Sequence, residues 1–128
     1  MGIELNHTII WCSDKARSSA FLTDILGLPP ARTFFHFLVV DLDNRVSVDF
    51  YQKEGAVAPQ HYAFLVGEAE FDAAFARIVE RKLTYWADPA RTRPAEINTH
   101  YGGRGLYFED PDGHLLEIIT CPYGDGPP

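Results

Sequence analysis

The sequence predicts an α+β fold built from two copies of one strand–helix–strand–strand order. Three observations carry this. Each half opens on an alternating run, Leu5 to Cys12 and His61 to Val66. Each continues into a helical stretch, capped at Ser13 in the first half and running from Glu68 to Arg81 in the second. Each closes on two more strand-like segments, Phe34 to Asp41 with Val46 to Tyr51, and Gly105 to Glu109 with His114 to Thr120.

In the first strand one face reads Leu5, His7, Ile9, Trp11 and the other Asn6, Thr8, Ile10, Cys12. The first helix is expected to bury Ala16, Ala20, Phe21 and Ile25, with Gly27 at its end and Pro29-Pro30 blocking continuation. The turn Asp41-Leu42-Asp43-Asn44 joins the next two strands. In the second helix Phe71, Phe75, Ile78 and Val79 recur at helical spacing. Tyr85 to Gly103 has no clean period, and a loop of that length in a compact domain is usually functional or mobile. Asp110-Pro111-Asp112-Gly113 turns the last hairpin, and 122–128 reads as a loose tail. The opening histidines stand 54 residues apart (7 to 61) and the acids of the closing strands 68 apart (49 to 117). The excess falls in the long loop. Sheets side by side with helices outside would leave a concave inner face.

At 128 residues the chain fits one domain. Hydrophobic residues at 46% and charged residues at 23% exclude disorder. A net charge of −7 disfavours nucleic acid as a partner. No apolar run is long enough to span a bilayer. The first residues lack the pattern of a signal peptide, and Cys12 and Cys121 make no disulfide framework, so a cytoplasmic setting is expected.

Glu117 lies inside the otherwise apolar run Leu115-Leu116-Glu117-Ile118-Ile119. A lone carboxylate there is costly to desolvate, and a cation is the simplest compensation. His7 and His61 open matching strands, and two imidazoles with one carboxylate leave coordination positions for water or substrate. A strand histidine that is merely hydrogen-bonded, and a buried Glu that pairs with an Arg, fit the residues as well.

Residues 3–121 are similar to the vicinal oxygen chelate superfamily: glyoxalase I, fosfomycin-resistance thiol transferases, extradiol dioxygenases and bleomycin-resistance proteins. The most specific piece is the hairpin Gly105-Leu106-Tyr107-Phe108-Glu109-Asp110-Pro111-Asp112-Gly113-His114-Leu115-Leu116-Glu117-Ile118, with Leu5-Asn6-His7-Thr8 and Gln60-His61-Tyr62-Ala63-Phe64 at the other ligand positions. The resemblance implies paired βαβββ modules, 3–52 and 60–121, forming a cupped mixed sheet with helices outside. It implies one divalent metal ion (Zn, Mn, Ni, Co or Fe) on His7, His61 and Glu117. It also implies a small-molecule substrate and a homodimer. Asp49 matches the glyoxalase branch's fourth ligand position, shortened from Glu. Metal ligation, ligation through water, general-base action and a plain strand acid are all open to it.

Catalytic roles are thus expected for Asp49, Glu117 and Tyr107, the last as a hydrogen-bond donor to an oxyanion or as a packed aromatic. Tyr107, Tyr101 and Arg104 are the candidate substrate contacts. Arg91, Arg93 and Arg104 hint at an anionic substrate or form a solvated surface, the latter favoured for Arg91 and Arg93 individually, and Gly102, Gly103 and Gly105 hint at loop hinges. The function expected is a metal-dependent enzyme acting on an oxygen-rich molecule by lyase or isomerase, thiol-transfer or dioxygenase chemistry. The competing reading is a metal-free sequestering protein of the bleomycin-resistance type; a purely interacting dimer is a weaker third.

Overall fold

The structure, a computed structural model, describes residues 2–124, so positions 125–128 of the expected tail lie outside the described residues. The chain divides between Ala58 and Pro59 into two compact units.

The first unit contains β1 (His7–Cys12), α1 (Lys15–Leu26), β2 (Arg32–Phe34), β3 (Phe37–Asp41) and β4 (Ser47–Gln52). Its sheet runs β1-β4-β3-β2, with β1 parallel to β4 and the other neighbours antiparallel. The second contains β5 (His61–Leu65), α2 (Glu68–Glu80), β6 (Tyr85–Trp86), β7 (Gly105–Glu109) and β8 (Leu115–Ile119). Its sheet runs β5-β8-β7-β6 with the same parallel and antiparallel pattern. The α+β class and the paired βαβββ order are as expected. The short strands β2 and β6 close each sheet at one edge.

Strand alternation sorts each sheet into two faces. In the first, Ile10, Cys12, Val40, Val48 and Phe50 are buried on the face opposite His7, and α1 packs over β3 and β4. The face of α1 that is buried differs from the expected one: Ser18, Leu22 and Ile25 are buried with Ser19 and Thr23, while Ala16 and Ala20 are exposed. Hydroxyls can be buried here because they bond back along the helix, Ser19 Oγ to the Ala16 carbonyl and Thr23 Oγ1 to that of Ala20. The cap is Asp14 rather than Ser13, its carboxylate accepting from the Arg17 amide at 3.1 Å. Gly27 ends the helix in the left-handed region, φ 70°.

In the second unit Phe64, Leu106, Phe108, Leu116 and Ile118 are buried on one face of the sheet, and Phe71, Ala74 and Ile78 on α2. Phe75 meets Tyr85 of β6 edge to face at 5.2 Å. Val79, expected inside, is half exposed. The hairpin after β7 turns as expected. Asp110 Oδ1 accepts from the amides of Asp112 and His114, and Gly113 takes φ 83°.

The long loop bonds to itself. Asp88 accepts from the amides of Thr92 and Arg93, and Asn98 Nδ2 donates to the Ala87 carbonyl at 2.8 Å. Gly103 and Gly105 are close-packed positions rather than hinges: a Cβ on Gly103 would meet Cys121 Cβ at 2.6 Å, and one on Gly105 would meet Asn98 Oδ1 at 3.0 Å. No helix among the described residues is long and apolar enough to cross a membrane.

Candidate functional site

The register of the second sheet places Glu117 opposite both Ala63 of β5 and Tyr107 of β7, with His61 opposite Leu115. His61, Tyr107 and Glu117 therefore share one face, the face away from the buried row Leu106, Phe108, Leu116 and Ile118. Glu117 is 1% exposed. His61 Nδ1 lies 2.9 Å from the Leu115 carbonyl oxygen, which can only accept, so Nδ1 carries the hydrogen. That leaves Nε2 facing Glu117 Oε1 at 3.1 Å. In a neutral imidazole this is a lone pair facing a carboxylate, two acceptors with nothing to share. A proton or a metal ion must lie between them.

A group of three tyrosines begins at the other oxygen of the carboxylate. The Tyr123 hydroxyl donates to Glu117 Oε2. The Tyr107 hydroxyl lies 3.1 Å from that of Tyr123, whose hydrogen is already given to Glu117, so Tyr107 is the donor in this pair. Burial above all, then the bond to Tyr123 and the charge of Glu117, push the Tyr107 phenol well above its ordinary range. Burial and the bond to Glu117 also raise that of Tyr123. Both stay protonated at neutral pH and serve as donors, not bases. The Tyr101 ring packs against Tyr123 at 5.6 Å, and the His61 ring stacks on Tyr107 at 6.0 Å.

The first sheet repeats the arrangement with shorter groups. His7 stands opposite Ser47 and Ile9 opposite Asp49, so Asp49 holds the register position that Glu117 holds in the second sheet. Asp49 is almost fully buried, and its Oδ1 accepts from Ser47 Oγ at 3.0 Å. The side chain is one methylene shorter than Glu, and its partner is Ser47. His7 is oriented by its neighbour: Nδ1 lies 2.7 Å from Asn6 Oδ1, so the hydrogen sits on Nδ1 and Nε2 is again presented outward. The same face carries an aromatic run, Trp11 against Tyr51 at 5.1 Å and Phe37 against Tyr51 at 5.2 Å.

The arginines take other places. Arg104, expected at the substrate, reaches α2: Nε and Nη1 bond Glu68 and Asp72, and the guanidinium lies 4.4 Å from the Phe71 ring centre. Arg91 pairs with Glu109 and Arg93 with Glu96. Each guanidinium is matched by a carboxylate of the same unit, and none of the three touches His61, Tyr107 or Glu117 in these bonds.

Residues 4–118 match the glyoxalase/bleomycin resistance protein/dioxygenase superfamily. The chain belongs to this superfamily. It is similar to the solved structure of oxidase ChaP-H1, with 58% identity, a TM-score of 0.94, and coverage of 96% of this chain and 99% of that one. A second, oxidase ChaP-H2, shares 56% identity at a TM-score of 0.95, over 98% of this chain and 99% of that chain. The metallothiol transferase FosB of Shouchella clausii (strain KSM-K16) is 38% identical over 121 residues, 91% of this chain and 79% of that protein.

Among the described residues, no three His, Cys, Asp or Glu side chains gather to hold a metal ion. What the structure itself brings together is the pair His61 and Glu117. This pair fits the superfamily's metal: a histidine with Nδ1–H fixed on a backbone carbonyl and Nε2 turned to a carboxylate is how ligand imidazoles are set. Two site residues escaped the sequence reading. Asn6 stands beside His7, and its role depends on rotamer. Tyr123 lies in a Gly- and Pro-rich stretch, where composition suggests only looseness.

Proposed function

We propose that the chain is a metal-dependent oxidase acting on a small oxygen-rich molecule, with His7, His61 and Glu117 as the metal ligands. The observation that carries this is the His61–Glu117 apposition, Nε2 and Oε1 3.1 Å apart, a gap that a metal ion, or a proton in its absence, joins. The oxidase reading is supported by identities of 58% and 56% to two proteins named as oxidases. His7, with Nε2 freed by Asn6, is the ligand this proposal adds from the first module, of the same chain or of a second copy in a homodimer. Two histidines and one carboxylate suit Fe(II) first, with Mn, Co, Ni and Zn able to occupy the same donors. A metal there would chelate neighbouring substrate oxygens and stabilise the negative charge that develops on them.

The chain's own groups do the rest. Tyr107 offers a protonated phenol beside Glu117; its hydrogen rests on Tyr123 and would have to turn to a substrate oxyanion on binding. Tyr101 adds a ring surface next to Tyr123. Asp49, buried on the His7 face, is the candidate for moving a proton. A sequestering protein has no use for a buried Glu aimed at an imidazole lone pair, so the metal-free reading is not favoured. Thiol transfer is the second reading, because FosB, a metallothiol transferase, is 38% identical.

The test is anaerobic loading with Fe(II), followed by oxygen consumption with a panel of oxygen-rich aromatic and aliphatic substrates. Parallel assays offer thiols and epoxides without oxygen. Oxygen uptake that disappears in His7→Ala, His61→Ala and Glu117→Ala supports the oxidase. Thiol adduct formation without oxygen uptake replaces it with the second reading. Wild-type protein that takes up no metal refutes both. Size-exclusion with light scattering tests the homodimer.

A further inference from the structure

We propose that Tyr123 is a positioning residue that ties one oxygen of Glu117, so that the other alone faces His61 Nε2. The inference rests on the reading of Glu117 as a metal ligand and adds how that ligand is held.

The two oxygens of Glu117 are divided between partners. Oε1 faces His61, and Oε2 accepts from the Tyr123 hydroxyl. A carboxylate with both oxygens free can turn about its last bond or clamp a cation with both. A donor fixed on Oε2 removes the second option and sets the plane of the group. One coordination position then stays open for a substrate oxygen.

Tyr123 itself is braced, although it is 57% exposed. Its hydroxyl also accepts from Tyr107 on β7 at 3.1 Å. Its ring packs on Tyr101, in the turn at 100–102, at 5.6 Å. That turn is fastened to the segment leading to Tyr123, the Cys121 thiol donating to the Tyr101 carbonyl at 2.9 Å. Tyr107 of β7 holds the hydroxyl, the turn holds the ring, and that hydroxyl touches the carboxylate. A tyrosine that served only to cover apolar surface would need no such aim.

Co(II) is the probe, because it reports both affinity and coordination. Full-length wild type, Tyr123→Phe, Tyr107→Phe and Glu117→Gln are titrated with Co(II) against a competing chelator, and the visible spectrum of each loaded form is recorded. Loss of an orienting partner of a ligand is expected to weaken binding about 10- to 100-fold. Tyr123→Phe should show that loss with an altered Co(II) spectrum and unchanged far-UV circular dichroism, on top of a lower metal-free thermal midpoint, since a buried carboxylate oxygen loses its donor. Tyr107→Phe, which reaches Glu117 through Tyr123, should show less. Wild-type affinity and spectrum in Tyr123→Phe overturn the proposal while leaving the metal reading intact, provided Glu117→Gln impairs loading. Failure of wild type to bind Co(II), or full loading of Glu117→Gln, removes the ligand reading and this proposal together.

Discussion

Replacing Glu117 by leucine separates a carboxylate kept for metal from one kept for stability. The side chain is 1% exposed and, without metal, accepts two hydrogen bonds, one from Tyr123 and one through a proton shared with His61. Bonds to a charged group contribute about 1.5–3 kcal/mol each, so about 3–6 kcal/mol is lost. Against this, taking the ion out of water costs several kcal/mol, which leucine avoids, and a buried leucine contributes about 2 kcal/mol. The partners are not stranded: the His61 side chain is 47% exposed and Tyr123 is 57% exposed, so both return to water. Metal-free Glu117→Leu should therefore lie within about 2 kcal/mol of wild type, an expectation set by apolar replacement of buried ions. With metal at a hundred times its dissociation constant, wild type gains about 2.7 kcal/mol. In a domain this size that raises the midpoint by roughly 5–15 °C. Glu117→Leu should show none of the rise. Calorimetry on metal-stripped and reloaded protein reads both quantities. A fall of more than about 15 °C in the metal-free variant, well beyond the 2 kcal/mol estimate, would make the carboxylate structural. A retained metal-induced rise would make the ligand assignment wrong.

Other consequences are as direct. Asn6→Ala removes the acceptor that fixes the His7 tautomer and should weaken metal binding about tenfold, read by chelator competition, with the fold unchanged by circular dichroism. Gly103→Ala forces a Cβ to 2.6 Å from Cys121 Cβ and should destabilise by about 1–3 kcal/mol in urea unfolding, whereas Gly113→Ala meets no neighbour and loses only its left-handed turn. The Arg104 hydrogen bond holds the Glu68 carboxyl below its usual range. Its contribution to stability is therefore present above the unfolded carboxyl's pKa and lost as pH falls through the lower folded one. Glu68→Gln should flatten that acid-side slope and leave stability above neutral pH insensitive to pH from this source.

Much of the architecture is local in origin and so was readable. The run His114 to Thr120 can only be a strand after Asp110-Pro111-Asp112-Gly113, and Gly27 with Pro29-Pro30 can only end a helix. Matching these features across the halves exposed the duplication. The buried face of α1 takes Ser18, Ser19 and Thr23 beside Leu22 and Ile25, which the spacing of apolar residues alone does not show. The hydroxyls of Ser19 and Thr23 bond to carbonyls of the same helix, which makes them buriable. The edge strands β2 and β6 are too short, at three and two residues, to show a period of their own.

At the site, the sequence by itself determined which residue types stand at matching strand positions: a histidine opening β1 and β5, an acid in β4 and β8. Strand alternation obliges His61, Tyr107 and Glu117 to share a face once the register is set. Tertiary structure alone decided the rest. The Leu115 carbonyl frees His61 Nε2, Arg104 turns to α2, and Tyr123 reaches back to Glu117. The carboxylate and the imidazole that meet at 3.1 Å are 56 residues apart in the chain. Periodicity encodes which way a side chain points from its own backbone. It does not encode which atom of a distant residue that side chain will meet.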